Sequence, residues 1–582
     1  MKREETLDGL RRRPKVDVCV VGGGINGISV FRELALQGLS VLLVEKHDYC
    51  SGASAALSRM VHGGLRYLEN GEFRLVQESL VERDRLLRNA PHYVAPLPTT
   101  VPVFDIFSGL GNGIARFLGL TRRPSRRGAI VIKAGLGIYD FLTRKRALMP
   151  RHQFRGRRTT LEKWPALNPN IKSSATYFDA WVSHPERLGI ELLQDGLTEH
   201  PEARALNYAE IRRDEDGGYW VTDRVGGTAV AVEPGLVINA TGGWIDITNK
   251  LLFSPETPPG PLMGGTKGSH LIIDNAELRE ALAGHMIYYE NEDGRICILF
   301  PYLGKVLVGS TDIRTDDPES VRCEADERDY ILQSLAFVLP HVEIRPQDIV
   351  FQFAGVRPLP ASSDSVTGRI PRDHFCSLVE PAAGSPPVLC MIGGKWTTFR
   401  SFGALAADMA LDRLGRSRQV ETTERRIGGG RGFPTDVAAW LSKLAARTGV
   451  APDRSAQLFA RYGTQAEIVA SFIAAEPDAP VPQSGYSERE LLFLIRNEAV
   501  EHLDDLLLRR TDLAVTGELS LEMTDTALDL LAMEKQWVPT QRAFERTRFL
   551  TQLRDRHGLS EGMLAARNQQ RSKECDTTAR SG

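Results

Sequence analysis

The strongest local pattern in the chain is VDVCVVGGGINGISVFRELALQGLSVLLVEK, which spans Val16–Lys46. Its valine-rich start predicts a buried parallel strand over Val16–Val21. Apolar residues at helical spacing predict a helix over Asn26–Gln37, which Gly38 ends. Leu39–Val44 is predicted as a second buried strand. A strand, a glycine turn, a helix and a strand in this order form a βαβ unit.

The turn of this unit carries the pattern G-x-G-x-x-G, formed by Gly22, Gly24 and Gly27. The first glycine permits the tight turn, the second lets the backbone approach a pyrophosphate, and the third allows close helix packing. The helix N-terminus offers unpaired N–H groups to phosphates, and Glu45 stands where a carboxylate binds a ribose hydroxyl. The sequence therefore predicts a dinucleotide site. Glu45 disfavours NADP, and the position of the motif in a long chain favours FAD, although the motif alone leaves NAD open.

Length and composition restrict the class of protein. The 582 residues suggest two or three large domains, and 42% hydrophobic with 25% charged residues is typical of globular chains. A net charge of −2 gives no overall indication of nucleic-acid binding. Seven scattered cysteines without a CxxC pair indicate reduced thiols, with no disulfide framework and no metal site. The charged start of the chain makes a secretory signal unexpected. No apolar run approaches 18 residues, so a transmembrane helix is not expected either.

Several further strings extend over the chain. They are GGGINGISV (22–30), VHGGLRYLENGEFRLVQESLVERDRLLRNAPH (61–92), NATGGW (239–244), GGTKGSHLIID (264–274), GSTD (309–312), FAGVRPL (353–359) and GGKWTTFR (393–400). Together, over about residues 15–550, they closely resemble the FAD-dependent, quinone-linked glycerol-3-phosphate dehydrogenase family. GxGxxG and NATG occur in many flavoproteins, whereas HGGLRYLE, KGSH, GVRPL and GGKWTTFR in this order are much more specific.

The resemblance implies a fold and a domain order. The fold class is α/β and α+β: a Rossmann-type FAD-binding domain and a β-rich substrate domain, as in glycine-oxidase-like flavoproteins, followed by an all-helical C-terminal domain. Gly428–Gly430 is interpreted as a linker to that last domain. The predicted boundaries are 15–427 for the interleaved FAD-binding and substrate domains (FAD parts about 15–95, 190–250 and 350–415; substrate part about 96–189 and 251–349), 428–555 for the helical domain, and 1–14 and 566–582 for tails.

The resemblance also implies the reaction, which is the oxidation of sn-glycerol 3-phosphate at C2 to dihydroxyacetone phosphate, with hydride transfer to FAD and electron transfer to a membrane quinone. His270 is the first choice for the general base because histidine titrates near neutral pH. Arg357 stays charged and would stabilise the developing alkoxide. By resemblance, the catalytic pair is His270 and Arg357, and the substrate-binding residues are Arg66, Tyr67, Arg372 and Lys395.

The cofactor residues follow from the glycine motif and from the same resemblance. The predicted set is Gly22, Gly24, Asn26, Gly27, Glu45, Ser54, Ser58, His62, Gly63, Gly242, Gly394, Lys395 and Thr397. The stretch SGASAALSRMVHGG (51–64) departs from the family pattern, since Ala55 and Leu57 replace hydroxyl residues and Arg59 replaces a lysine. This departure leaves the single contacts of that stretch open, but not FAD binding itself.

Residues 116–146 contain nine Lys or Arg and one acidic residue, Asp140, so the local net charge is +8. Bulky apolar residues lie between these basic residues, a composition that anionic bilayer surfaces attract. We therefore expect membrane docking through about 110–146 and a cytoplasmic location, peripheral to the inner face of the cytoplasmic membrane. The alternative is that the apolar residues of this stretch pack on the protein core and the basic residues are only solvated. Nucleic acid is not expected, because no aromatic stacking platform accompanies the charge.

Other functions remain open on the sequence alone. A glycerol-3-phosphate oxidase using O₂ shares the same motifs. A flavin oxidase of amino or hydroxy acids would need an arginine to bind the substrate carboxylate, but not as many cations as a phosphate requires. A non-catalytic FAD-binding, membrane-associated protein predicts substitution of His270, Arg357 and Lys395, which are intact here. The sequence leaves open whether the chain forms a homodimer.

Overall fold

Strands from distant parts of the chain assemble into two sheets. The computed structural model describes residues 3–64, 72–105, 149–254, 259–361, 373–380 and 385–568. The strands are β1 (Lys15–Val21), β2 (Val41–Val44), β3 (Met60–Val61), β4 (Val94–Val103), β5 (Gln153–Gly156), β6 (Ser173–Val182), β7 (Arg204–Leu206), β8 (Ala209–Arg213), β9 (Tyr219–Asp223), β10 (Ala229–Asn239), β11 (Met263–Ile273), β12 (Met286–Glu290), β13 (Ile296–Tyr302), β14 (Lys305–Gly309), β15 (Ile313–Arg314), β16 (Ile349–Pro360), β17 (His374–Val379) and β18 (Val388–Gly393).

Helices cover these sheets and form the C-terminal region. They are α1 (Arg3–Arg12), α2 (Ile25–Leu36), α3 (Phe73–Asn89), α4 (Arg157–Lys163), α5 (Pro185–Glu199), α6 (Ile245–Leu252), α7 (Ala276–Ala281), α8 (Ala325–Val338), α9 (Phe399–Arg413), α10 (Val437–Thr448), α11 (Pro452–Tyr462), α12 (Ala466–Ala474), α13 (Glu488–Asn497), α14 (Leu521–Glu534) and α15 (Pro539–His557). A π-helix spans Asp505–Arg510, and residues 561–568 are also helical. The predicted all-helical C-terminal region is thus confirmed.

The first sheet has the order β17–β18–β10–β1–β2–β7, and β9 with β8 extends it from β10. β1 lies parallel to both β2 and β10, with Val18 opposite Val41 and Leu236. Helices α2, α5 and α9 pack on one face, and α1 and α6 on the other. Strands buried on both faces need continuous apolar runs, which is what β1 and β2 have. The predicted βαβ unit is confirmed.

The second sheet has the order β15–β11–β14–β13–β12–β4–β6–β3, with β16 paired to β11 and β5 to β6. Helix α8 packs on one face, and the C-terminal helices share a core with the other, which includes Phe351 of β16 with Leu528 and Phe549. The sequence assigned 350–415 to the FAD-binding part, but β16 lies in this second sheet. A strand's own periodicity does not show which distant strand it pairs with, so this partner was not predictable.

Two segments differ from their predicted character. Residues expected to be a solvated tail form α1 instead, with Leu7 and Leu10 fully buried and an ion pair from Arg3 to Asp223 at 2.7 Å. A short apolar pair among charges carries too little periodicity to reveal this packing. Gly428–Gly430, interpreted as a linker, is a buried 3₁₀ turn whose Gly429 N–H donates to Glu191 at 3.1 Å.

A buried ion network joins the C-terminal region to the first sheet. Asp48, three residues beyond Glu45, receives hydrogen bonds from Arg510 Nη1 at 2.7 Å and Nη2 at 2.8 Å, and also from Arg509. Arg187 on α5 pairs with Glu498 at 2.9 Å. The helices therefore fix the loop after β2, which borders the cleft described next.

Candidate functional site

Two adjoining cavities open at the carboxyl end of β1, where open parallel sheets bind ligands. The first has a volume of about 310 Å³ and the second about 210 Å³. Both are lined by Ile25, Asn26, Ala53, Ser54 and Pro358, so together they form one elongated cleft. Such a shape suits an extended dinucleotide whose reactive ring lies at one end.

The glycine turn after β1 leaves room for the phosphates of a ligand to approach the protein backbone. Gly22 has φ +106°, and a Cβ there would lie 2.8 Å from the Ala240 carbonyl oxygen. A Cβ on Gly27 would overlap the Gly22 carbonyl oxygen, so helix α2 can pack this closely only on glycine. Gly24 lines the first cavity together with Gly242 from the loop after β10.

Glu45 ends β2 at the wall of the first cavity. Its Oε2 accepts a hydrogen bond from Gly23 N at 2.6 Å, and its Oε1 accepts one from His47 N at 2.8 Å. Burial raises the pKa of this carboxyl because it disfavours the charged form, while the two N–H donors oppose that shift. The carboxylate is thus held in place beside the glycine turn, as a ribose-binding acid requires.

The start of α2 shows where a cofactor fits. Ser54 Oγ accepts a hydrogen bond from Ile25 N at 2.9 Å. Asn26 Oδ1 is buried, and no hydrogen-bond partner for it exists among the residues with described positions. A buried amide oxygen without a partner is costly, and both residues line both cavities. The orphaned atom and the space above the glycines therefore fit a bound FAD.

His270 projects into the second cavity from β11. It is 2% exposed and stacks on Phe353 with ring centroids 5.1 Å apart. Within the described part of the chain, neither ring nitrogen has a hydrogen-bond partner. Burial, with smaller contributions from the charges of Arg357 and Arg59, lowers the pKa of His270 to about 3. The imidazole is therefore neutral at pH 7 and keeps a free lone pair.

Arg357 reaches the same cavity from β16, the strand paired with β11. Its Nη1 donates to Asp312 Oδ1 at 3.1 Å, and its Nη2 donates to Ser310 Oγ at 3.0 Å and to the Thr311 carbonyl at 3.1 Å. Gly268 provides the space for this group, since a Cβ there would lie 2.5 Å from Arg357 Nη1 and closer still to Nη2. The guanidinium is therefore held in one orientation.

Lys395 completes the cationic side of the second cavity. It follows β18, and its Nζ donates to Ser79 Oγ on α3 at 2.6 Å. Of the predicted cofactor residues, those lining one or both cavities are Gly22, Gly24, Asn26, Glu45, Ser54, Ser58, His62, Gly242, Gly394, Lys395 and Thr397. Gly63 lies nearby, and its N–H donates to Asp179 at 2.9 Å.

Some predicted residues fall outside the described ranges. Arg66, Tyr67 and Arg372 are among them, and so is the whole basic stretch, since residues 106–148 are not described. These assignments remain predictions from the sequence. For the helices that are described, none is both long and apolar enough to cross a membrane.

The structure also gives roles to residues that the sequence left without one. Arg59, the departure from the family's lysine, is buried and donates twice to Glu186, at 3.0 and 2.7 Å. It therefore anchors the strand end rather than facing the cleft. Asp312 and Ser310 hold Arg357, and the string GSTD was the available signal for them. Trp396 lines the second cavity, and its buried Nε1 has no partner in the described ranges.

Comparison with known proteins identifies the family. Residues 17–400 match the family described as FAD dependent oxidoreductase, and residues 420–542 match the C-terminal domain of alpha-glycerophosphate oxidase. A glycerol-3-phosphate dehydrogenase of Synechocystis sp. is 32% identical over 518 residues, which cover 86% of this chain and 89% of that relative. The chain belongs to the FAD-dependent glycerol-3-phosphate dehydrogenase family.

Other members of the family agree with this assignment. The aerobic glycerol-3-phosphate dehydrogenase of Escherichia coli is 30% identical over 510 residues, covering 85% of this chain and 93% of the relative. The crystal structure of the Bacillus halodurans glycerol-3-phosphate dehydrogenase complexed with FAD has a TM-score of 0.72 at 23% identity, over 95% of this chain and 97% of that one. The matches to the family model and to these relatives confirm the predicted family, oxidoreductase character and FAD cofactor. The structural match confirms the fold class.

Proposed function

We propose that this protein oxidises sn-glycerol 3-phosphate at C2 to dihydroxyacetone phosphate. The names of relatives at 30–32% identity, which are glycerol-3-phosphate dehydrogenases, support this substrate. The single observation that carries the proposal is the convergence of His270, Arg357 and Lys395 in the cavity that adjoins the dinucleotide cleft. Together these residues provide a proton acceptor and two cations beside one reacting carbon.

His270 takes the proton of the C2 hydroxyl in this proposal. A general base needs a free lone pair within reach of that proton. The neutral imidazole provides one, since neither ring nitrogen has a hydrogen-bond partner in the described ranges. The low pKa of His270 in the ligand-free protein arises from burial and nearby cations. A bound phosphate dianion offsets those cations, so it raises the pKa of the imidazole when the base must act.

Arg357 stabilises the negative charge that develops on the C2 oxygen, because its guanidinium stays protonated and is already oriented by Asp312 and Ser310. Lys395 Nζ attracts the phosphate as a point charge. The proposed phosphate contacts of Arg66 and Arg372, and the pocket contact of Tyr67, complete this set.

FAD, when bound, supplies the acceptor for the hydride that leaves C2. Glu45 would hold the adenosine ribose, and Gly22 and Gly24 would admit the pyrophosphate. Asn26 would accept a hydrogen bond at the centre of the cleft, because its amide oxygen has no partner among the described residues. The second cavity, between β11, β16 and the turn after β18, would hold the reacting carbon beside His270 and Arg357.

We further propose that the electrons pass to a membrane quinone. In this proposal the segment of about residues 110–146 docks the protein on an anionic membrane surface at the cytoplasmic face. The support is the local charge of +8 with interleaved apolar residues. The second candidate is an oxidase that uses O₂. It is favoured by the match of residues 420–542 to a domain described for alpha-glycerophosphate oxidase.

The substrate is tested by anaerobic reduction of the purified holoenzyme. Adding sn-glycerol 3-phosphate without an acceptor should bleach the oxidised-flavin bands and yield one dihydroxyacetone phosphate per flavin. Glycerol and an amino acid serve as control substrates. A spectrum that stays oxidised with sn-glycerol 3-phosphate would reject the proposed substrate.

The acceptor is tested by reoxidising the reduced enzyme in two parallel reactions. Ubiquinone in anionic vesicles should reoxidise the flavin faster than air, without hydrogen peroxide. Stoichiometric peroxide with fast reoxidation in air would instead establish the oxidase. Substituting Arg122, Arg123, Arg126 and Arg127 with glutamine should weaken sedimentation with anionic vesicles but leave anaerobic flavin reduction unchanged.

A further inference from the structure

A buried glutamate lies behind the second cavity, on the side away from the cleft. Glu327 is the third residue of α8, and it is 2% exposed. Burial raises the pKa of its carboxyl. Hydrogen bonds, first from Lys267 and then from Thr311, lower this pKa by more than burial raises it, so the net shift is downward. The side chain is therefore a buried carboxylate anion at neutral pH, and the reaction proposed above makes no use of it.

The carboxylate of Glu327 bonds to two different parts of the sheet. On β11, Lys267 Nζ lies 2.6 Å from Oε2 and Ser269 Oγ donates to Oε1 at 2.9 Å. In the turn after β14, Thr311 Oγ1 donates to Oε1 at 2.6 Å. A fourth bond, from Glu324 N to Oε2 at 3.1 Å, caps the helix. A helix cap needs only this last bond, so the other three call for a second explanation.

The bonded residues are the direct neighbours of the proposed catalytic pair. Ser269 precedes His270 in β11, and its N–H donates to Thr311 Oγ1 at 2.9 Å. The Thr311 carbonyl accepts from Arg357 Nη2 at 3.1 Å. One carboxylate thus connects the strand that carries His270 with the turn that orients Arg357.

Helix α8 provides a rigid base for this connection. Its Ile331, Leu335 and Val338 pack in the core beneath the sheet, against Leu271 and Val308. The carboxylate is fixed from below by the helix and from above by three charged or hydroxyl donors. Charge-assisted hydrogen bonds are about twice as strong as neutral ones, so this arrangement resists changes in spacing.

We propose that Glu327 is a positioning residue for the reaction, which holds His270 and Arg357 at a fixed separation by tying β11 to the turn 309–312. The inference rests on the proposed function. A misplacement of about 1 Å can cost about 10²-fold in rate, which sets the scale of the effect. Glu327 lines neither cavity, so the affinities for the phosphate and the dinucleotide should not depend on it.

The test compares Glu327→Gln and Thr311→Val with the wild-type holoenzyme. Glutamine keeps the shape but loses the charge that Lys267 requires. Valine removes the Thr311 hydroxyl, which donates to Glu327 and accepts from Ser269 N. We expect the anaerobic rate of flavin reduction to fall about 100-fold in Glu327→Gln and about 10-fold in Thr311→Val. KM for sn-glycerol 3-phosphate and Kd for FAD should change by less than about threefold. Thr311→Val keeps the test valid if Glu327→Gln does not fold.

Glu545→Gln is the matched control. Glu545 is also 2% exposed and ionically bonded, with donors from Leu503 N at 2.7 Å and Arg548 Nε at 2.9 Å, but it lies in the C-terminal helices. The Glu545→Gln variant should lose about as much in Tm as Glu327→Gln does, and it should keep the wild-type rate of flavin reduction.

The outcomes separate the inference from the proposed function. A wild-type enzyme that does not reduce its flavin with sn-glycerol 3-phosphate overturns both. An active wild type with Thr311→Val and Glu327→Gln at wild-type rates overturns the inference alone. So does a loss of rate that Glu545→Gln reproduces, because it would reflect lost stability rather than positioning.

Discussion

Replacing Gly268 with alanine should disable the proposed site while leaving the fold intact. The added Cβ would lie 2.5 Å from Arg357 Nη1 and closer to its Cζ and Nη2, whereas ordinary carbon contacts are about 3.5–4.0 Å. The colliding atoms are the end of a long side chain, so the guanidinium moves rather than the strand. Gly268 also has no positive φ, so alanine does not strain the backbone there.

The size of the effect follows from what Arg357 loses. The displaced guanidinium gives up its bonds to Ser310, Thr311 and Asp312, which hold it at 3.0–3.1 Å. Losing one oriented donor to a developing oxyanion costs about 2.7–4 kcal/mol, or about 10²–10³ in kcat. We therefore expect flavin reduction to slow by about that factor. The free energy of unfolding should change by no more than about 1–2 kcal/mol, because the lost hydrogen bonds are exchanged for water.

Gly264→Ala is the matched control for this experiment. Gly264 lies in the same strand, and the nearest atom to a Cβ there is 3.8 Å away, an ordinary contact. Stopped-flow anaerobic reduction and thermal unfolding should be measured for both variants. Wild-type reduction kinetics in Gly268→Ala, or equal losses of rate in both variants, would refute the steric reasoning and the role of Arg357.

Three further predictions concern charge and binding. The native pKa of His270 is about 3 against an unfolded value of about 6.5, so the unfolded chain binds the extra proton as pH falls. His270 should therefore lower the free energy of unfolding by about 2 kcal/mol as the pH falls from 7 to 5. His270→Gln, measured by unfolding at each pH, should not show this decrease. Arg510→Met leaves Asp48 underpaired in the buried network and should lower the free energy of unfolding by about 3–5 kcal/mol; an unchanged Tm would contradict this. Glu45→Ala should raise Kd for FAD about tenfold in a fluorescence titration, while the rate at saturating FAD stays the same.

The wall of the cleft was partly predictable, because local patterns determine it. The glycine spacing after β1 and the acid after β2 depend on residues that are close in the chain. Strings such as KGSH and GVRPL pointed to His270 and Arg357, which the structure brings to one cavity. Their hydrogen-bond partners were not predictable, since Asp312 is 45 residues from Arg357 in the chain.

The sequence by itself determined the βαβ unit, the helical C-terminal region and the family, because apolar periodicity, glycine spacing and ordered motifs are local properties. Only the tertiary structure decided that Leu7 and Leu10 of α1 are buried, that β16 pairs with β11, and that Arg59 binds Glu186. It also showed Asp48 paired with Arg510 across 462 positions of the chain. Burial makes such charges require partners, and folding, not proximity in sequence, supplies them.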